Sequence, residues 1–222
     1  MFQDRRDAGR QLAAHVAAAL GPVGGRAHPG DPPPIVLGLA RGGVPVAAEV
    51  AAVLGGPLDV LIARKLGVPW QPELGMGAIA EGGGRVLNEE LIREAGVDAA
   101  SIETVERRER IELERRVDRY RRGRAPLELA GRTVVVVDDG LATGYTAWAA
   151  IHAVRERGAA RVVLAVPVAP AETVSFLSGV ADLVVVVTRP ASFMAIGEFY
   201  RDFSQTDDDE VISILEAHRT ER

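Results

Sequence analysis

Residues 134–146 concentrate the residue types that do chemistry. A run of four valines, Val134 to Val137, ends in two adjacent carboxylates, Asp138 and Asp139. A turn of small and hydroxyl-bearing residues follows, Gly140-Leu141-Ala142-Thr143-Gly144-Tyr145-Thr146, and then a helical stretch to Arg157 closed by Gly158. The first N–H groups of a helix have no partner inside it, so with the Thr143 and Thr146 hydroxyls they form a cradle for phosphate. Two carboxylates beside a phosphate repel it unless they bind hydroxyls or a cation. A phosphorylated sugar with a metal ion meets both demands. Two other strand ends carry unusual residues. Residues 35–39 run into Ala40-Arg41-Gly42-Gly43, and residues 58–63 run into Arg64-Lys65. Lys65 is the lone lysine among 26 basic residues.

Competing chemistries fail on spacing. A Walker loop needs Gly-x4-Gly-Lys followed by Ser or Thr, and the chain has none. A haloacid-type phosphatase needs an acid two residues after the first, where Gly140 stands. Gly75-x-Gly77-x-x-Ala80 resembles a loose dinucleotide fingerprint but opens no helix. No Gly-x-Ser-x-Gly elbow supports a serine nucleophile. A helix cap accounts for one Asp or for Thr143, but not for two acids with the Gly/Thr pattern.

The elements that must position these residues follow from the apolar pattern. Short apolar runs at 35–39, 58–63, 133–137, 161–167 and 182–188 have the character of buried parallel strands. Helical stretches alternate with them at 44–54, 88–96, 98–122 and 171–178. Alternation of this kind predicts an α/β fold, a Rossmann-like, mostly parallel sheet flanked by helices. Leu12, Val16 and Leu20 share one face of an amphipathic first helix, and residues 22–34, rich in Gly and Pro, read as a loop. Residues 67–84 hold six glycines and two prolines and read as a long mobile loop with a short strand near Gly77 to Ala80. An acidic run, Asp207 to Glu210, opens a last helix.

Composition narrows the classes further. The 222 residues suit one α/β domain. Zero cysteines exclude a disulfide scaffold, a thiolate nucleophile and an iron–sulfur cluster. A net charge of −5 argues against duplex nucleic acid. The stretch from Glu106 to Arg124 is rich in arginine, but its mixed charge reads as a solvated helix over the sheet. No apolar run approaches the ~20 residues that span a bilayer, and Asp4, Asp7 and His15 interrupt any signal-peptide pattern. The expectation is a soluble, cytoplasmic protein.

The segment from Val134 to Thr146 resembles the signature of the type I phosphoribosyltransferases: four hydrophobics, two acids, a short turn, then Thr-Gly-x-Thr. Ile35 to Gly43 is similar to the family's pyrophosphate loop, and the strand order matches over about residues 35–190. The resemblance implies a type I phosphoribosyltransferase fold over residues 1–222, with a small hood built from both ends of the chain and a flexible flap at 67–84. It implies transfer of the 5-phosphoribosyl group of phosphoribosyl pyrophosphate (PRPP) to a nucleobase or another small nitrogen nucleophile, with release of pyrophosphate. Asp138 and Asp139 would bind the ribose hydroxyls and meet Mg²⁺ indirectly, through the substrate. Ala142, Thr143, Gly144, Tyr145 and Thr146 would hold the 5-phosphate. Ala40, Arg41, Gly42 and Gly43 would hold the pyrophosphate, with a non-proline cis peptide at Ala40–Arg41. Lys65, with Arg64, would reach the pyrophosphate across the site. Phe193 and Tyr200 would belong to the hood over the base, and the family implies a homodimer. Ala142 stands where 6-oxopurine members carry an Asp, which leaves Glu73 or Glu81 in the flap as candidate general bases. A second reading is a non-catalytic PRPP-sensing regulator that touches RNA through residues 106–124.

Overall fold

Strands buried on both faces need apolar side chains on both, and the valine-rich runs supply them. The structure is a computed structural model that describes residues 1–21 and 32–220. Most of the loop expected at 22–34, residues 22–31, lies outside the described residues. The strands are β1 (Ile35–Leu39), β2 (Leu58–Leu61), β3 (Ala63–Val68), β4 (Gln71–Ala80), β5 (Arg85–Leu87), β6 (Thr133–Val137), β7 (Arg161–Val168) and β8 (Leu183–Thr188). The helices are α1 (Arg5–Leu20), α2 (Gly43–Leu54), α3 (Glu89–Ala95), α4 (Ala99–Arg121), α5 (Tyr145–Glu156), α6 (Ala171–Leu177) and α7 (Asp208–Thr220). Five strands form a parallel sheet in the order β2-β1-β6-β7-β8. The fold is α/β, with a mostly parallel central sheet flanked by helices, as the sequence predicts.

Alternation across each strand divides the core. On β6, Val135 and Val137 join Leu12, Val16, Val46 and Val50 of α1 and α2 on one face. Val134 and Val136 join Ala147, Ile151 and Leu177 of α5 and α6 on the other. Each fully buried Val or Leu contributes about 1.5–3 kcal/mol. The chain leaves β1 outward to β2 and returns to β6 on the opposite side of β1. That reversal sits between β1 and β6, where an open parallel sheet opens a crevice at its carboxyl edge.

The apolar run at 58–63 divides in two. Its first part, β2, belongs to the parallel sheet, and Ile62 carries the chain into a second, antiparallel sheet ordered β3-β4-β5. The segment expected as a mobile loop is therefore built around a ten-residue strand, β4, whose Met76, Ala78, Ile79 and Ala80 are buried. Its glycines serve close approach. A Cβ on Gly77 would lie 2.3 Å from the Val86 carbonyl oxygen, and one on Gly67 would lie 2.2 Å from that of Pro72. The tip, from Trp70 to Glu73, is exposed.

The two ends of the chain meet. Phe2 pairs with Tyr200 in an isolated bridge, and the Phe2 N–H donates to the Phe199 carbonyl at 2.8 Å. Among the described residues, no helix is long and apolar enough to cross a membrane.

Candidate functional site

The register of the sheet sets β1 and β6 side by side, with Gly38 opposite Val137, so the residues that follow both strands emerge together at the crevice. Ala40–Arg41 is a cis peptide. The two glycines behind it admit the carboxylate loop. A Cβ on Gly42 would lie 2.0 Å from Asp139 Oδ2, and one on Gly43 would lie 2.5 Å from the Val137 carbonyl and 2.9 Å from Asp138 Cα. No other residue type fits at either position without displacing the acids.

The acids are unequal. Asp138 Oδ1 accepts a hydrogen bond from the Asp139 N–H at 2.9 Å. Burial, then the neighbouring Asp139 charge, holds the Asp138 carboxyl well above the usual carboxylate range. Burial also raises Asp139, but Arg5 opposes it: Arg5 Nε donates to Asp139 Oδ2 at 2.7 Å. The Arg5 guanidinium lies 4.1 Å from the Phe203 ring centroid. Tyr200 donates its hydroxyl to the Asp139 backbone carbonyl at 2.6 Å. Asp139 is thus fixed at both its side chain and its backbone.

Beyond Asp139 the chain turns into α5. Gly144 takes a left-handed conformation, φ +82°, and no side chain caps the helix. Trp148 donates to the Gly144 carbonyl at 2.9 Å as the first helical bond. The N–H groups of Tyr145, Thr146 and Ala147 therefore have no acceptor within the helix, the arrangement that suits an anion. Thr173 Oγ1 donates to the Ala142 carbonyl at 2.5 Å and ties α6 to the turn. A cleft of about 760 Å³ opens here, lined by Ala142, Thr143, Tyr145, Glu172, Phe176 and Phe193 among others.

The structure separates some of the expected site residues from this cleft. Arg64 donates from Nε and Nη2 to Glu109 of α4, at 3.0 and 2.6 Å, so it anchors the flap sheet rather than reaching the crevice. Successive side chains of a strand face opposite ways, and Lys65 turns instead along the flap, its ammonium on the Glu73 carbonyl and 3.6 Å from Glu73 Oε2. Glu73 is almost wholly exposed at the flap tip. Glu81 is buried on Arg121, with Asp59 and Arg157 beside it, in a separate charge cluster that removes it as a general base. Burial raises its carboxyl above the ordinary value. Arg41 lies 3.7 Å from Asp208 at the start of α7. Tyr200 is core, packed between Phe2 and Phe203, and is not free to stack on a base. Phe193 is half-buried, stacked on Phe199, and lines the cleft. Sequence reasoning misses Arg5, because nothing in the local pattern distinguishes it from the other arginines of the chain.

No group of three or more metal-ligating side chains occurs among the described residues. The paired acids fit a cation whose other ligands come from a phosphorylated substrate, since a divalent charge would offset the burial and, after it, the Asp139 repulsion that raise Asp138.

A parallel sheet with paired acids, a glycine-lined loop and an uncapped helix at its switch point defines the class of α/β proteins whose crevice lies at the carboxyl edge of the sheet. The chain belongs to the phosphoribosyl transferase family, whose domain model matches residues 78–197. It is 54% identical over 220 residues to Rv0571c of Mycobacterium tuberculosis, a protein described provisionally as a phosphoribosyl transferase. That alignment covers 99% of this chain and 47% of the relative, so the chain spans about half the length of the curated relatives it matches. The crystal structure of TT1426 from Thermus thermophilus is 45% identical with a TM-score of 0.76, covering 96% of this chain and 97% of that one. A Neisseria gonorrhoeae protein crystallised with ppGpp shares the fold at 13% identity and a TM-score of 0.51, covering 98% of this chain and 96% of that one.

Proposed function

We propose that the chain binds PRPP at the switch point and transfers its 5-phosphoribosyl group to a small nitrogen nucleophile. One observation carries the reading. Gly42 and Gly43 press against Asp138 and Asp139, so a glycine loop, two carboxylates and an uncapped helix lie together at the crevice. This order suits pyrophosphate, ribose and 5-phosphate. Asp139, held by Arg5 and Tyr200, accepts from a ribose hydroxyl, and Asp138 accepts from its neighbour. Thr143, Thr146 and the first N–H groups of α5 hold the 5-phosphate.

In the reaction the acceptor nitrogen bonds to C1 of the sugar as the C1–oxygen bond breaks. The electron pair leaves with pyrophosphate, and the acceptor's proton goes to solvent or a basic group beside it. Arg41 and Lys65 neutralise the leaving group. For Lys65 this requires that it leave Glu73, and the exposed tip from Trp70 to Glu73 gives it room. Asp138 and Asp139, together with substrate oxygens, would hold a Mg²⁺ ion, and the ion would supply further charge neutralisation. Closure of the flap tip excludes water and suppresses hydrolysis of PRPP.

The arginines of α4 support this reading over an RNA-binding regulator. Arg110 is paired with Glu106, Arg115 and Arg116 with Glu112, and Arg119 with Asp208. The test is calorimetry with PRPP and Mg²⁺, followed by pyrophosphate release across a panel of bases. Wild type binds and turns over, and Asp139→Asn loses PRPP binding while its circular dichroism stays unchanged. Unchanged PRPP affinity in Asp139→Asn would sink the assignment.

A further inference from the structure

We propose that Asp208 is a positioning residue for Arg41: anchored on α4, it fixes by charge where the guanidinium stands beside the glycine loop. The inference rests on the phosphoribosyl transfer reading, in which Arg41 meets the leaving pyrophosphate, and adds a residue that acts through Arg41.

The acidic run from Asp207 to Glu210 divides its tasks. Asp207 caps α7, since its Oδ1 accepts from the Glu210 N–H at 2.7 Å. Asp208 is not needed as a cap and turns to other elements. Its Oδ1 accepts from the Tyr120 hydroxyl at 2.6 Å, and its Oδ2 lies 2.7 Å from Arg119 Nη1. Both donors belong to the last turn of α4, and that turn is pinned. The Tyr120 ring is fully buried, and Arg121 beside it donates to the Val60 carbonyl of β2 at 2.9 Å. The Tyr120 hydroxyl bond, opposed by burial and joined by the charges of Arg119, Arg41 and Arg116, holds the Asp208 carboxyl below its ordinary value. The carboxylate is therefore ionised at neutral pH and anchored from α4.

Arg41 meets this anchored charge from the other side. It precedes Gly42 and Gly43, which press on Asp138 and Asp139, so its backbone lies at the crevice. Its Nη1 is 3.7 Å from Asp208 Oδ1. That is beyond hydrogen-bond length, so the pair is held by charge and the guanidinium keeps its donors for a ligand. Asp208 shares its charge with Arg119 at the shorter distance, which leaves Arg41 only partly neutralised. An arginine side chain loses rotamer freedom when it meets an anion. A carboxylate that already limits that freedom lowers the cost of binding.

The experiment uses the full chain, calorimetry with Mg²⁺, and three probes: PRPP, inorganic pyrophosphate and ribose 5-phosphate. Absence of PRPP binding by the wild type overturns the phosphoribosyl reading and the inference with it. Asp208→Asn keeps an acceptor for Tyr120 and removes the charge. It should weaken PRPP and pyrophosphate about threefold to tenfold, the cost of ordering one long side chain, and leave ribose 5-phosphate unchanged. In an Arg41→Met background the same substitution should change PRPP affinity no further, as expected of a residue that acts through Arg41. Tyr120→Phe keeps the buried ring and removes one of the two anchors. It should give the same pattern at about twofold to threefold, and it carries the test if Asp208→Asn does not fold. Unchanged or tighter pyrophosphate binding in Asp208→Asn overturns the inference and leaves the phosphoribosyl reading standing; tighter binding would mean that the carboxylate competes with the leaving group. An equal loss for ribose 5-phosphate, or an equal loss in the Arg41→Met background, also overturns it, because Asp208 would then support the fold alone.

Discussion

At the scale of single residues, the site is a problem in charge. Asp138 and Asp139 stand side by side in a buried place, and Arg5 compensates the second more than the first. A carboxyl whose folded pKa lies above its unfolded one stabilises the fold while protonated. That contribution is complete below the unfolded value and is lost as pH rises through the folded one. Charged Asp138 therefore costs stability at pH 7. Asp138→Asn keeps the acceptor for the Asp139 N–H and removes the charge. It should raise Tm at pH 7 by about 2–4 °C, the effect of about 1 kcal/mol in a chain of this size. The gap to wild type should close as pH falls below 3.8, the ordinary value for this group. A Tm difference independent of pH would show that the burial argument is wrong. Arg5 is the complementary case. Arg5→Met leaves Asp139 buried without its donor and should weaken PRPP binding about tenfold or more, since a hydrogen bond to a charged group is worth about 1.5–3 kcal/mol. Arg5→Lys should recover part of that affinity in calorimetry, which a purely structural role would not predict.

At the scale of elements, legibility followed the range of the interaction. The strand, acid pair, turn and helix from Thr133 to Glu156 are contiguous, and every part of that unit is readable from periodicity and cap chemistry. The flap is equally contiguous, yet its glycines point the wrong way. Gly67 and Gly77 are read as marks of mobility, whereas each is there because a neighbouring backbone leaves no room for a Cβ. The alternation that would have revealed a strand is hidden, because glycine is counted as neither apolar nor polar. Arg64 and Lys65 show a related limit: neighbours in a strand point apart, so adjacency in sequence separates them in space. Gly77→Ala tests the packing view. It should destabilise by about 1–3 kcal/mol, as overpacking does, and speed hydrogen exchange at residues 76–80. In the wild type those amides should exchange slowly and those at 69–74 quickly, since the strand root is buried and the tip is exposed. Fast exchange along the whole of β4 would restore the mobile loop.

At the scale of the whole molecule, the net charge of −5 is a poor guide to the site, because most cations are spent on neighbouring acids and Arg5 is aimed at Asp139. What aims it is the meeting of the chain's ends. The Arg201 N–H donates to the Phe2 carbonyl and the Asp202 N–H to that of Gln3, each at 2.9 Å. Three residues beyond Phe2, Arg5 donates to the Ser204 carbonyl at 2.5 Å and to Asp139. Tyr200, packed on the Phe2 ring with centroids 5.3 Å apart, holds the Asp139 carbonyl. Both restraints on Asp139 therefore pass through one aromatic joint between termini, and no local pattern announces it, since Arg5 and Asp139 are 134 residues apart. Phe2→Ala should lower stability by about 3–5 kcal/mol, as loss of a buried aromatic does, and should also weaken PRPP binding, because Arg5 and Tyr200 lose their common support. Tyr200→Phe should keep the packing, lose one hydrogen bond, and cost about 1–3 kcal/mol with a smaller loss of affinity. Val53→Ala, on the exposed side of α2, should change neither quantity. Measured together by thermal unfolding and calorimetry, the three variants separate support of the fold from support of the site. A Phe2→Ala protein that loses stability but binds PRPP as tightly as wild type would mean that the joint holds the chain's ends and leaves Asp139 to be fixed by its own loop.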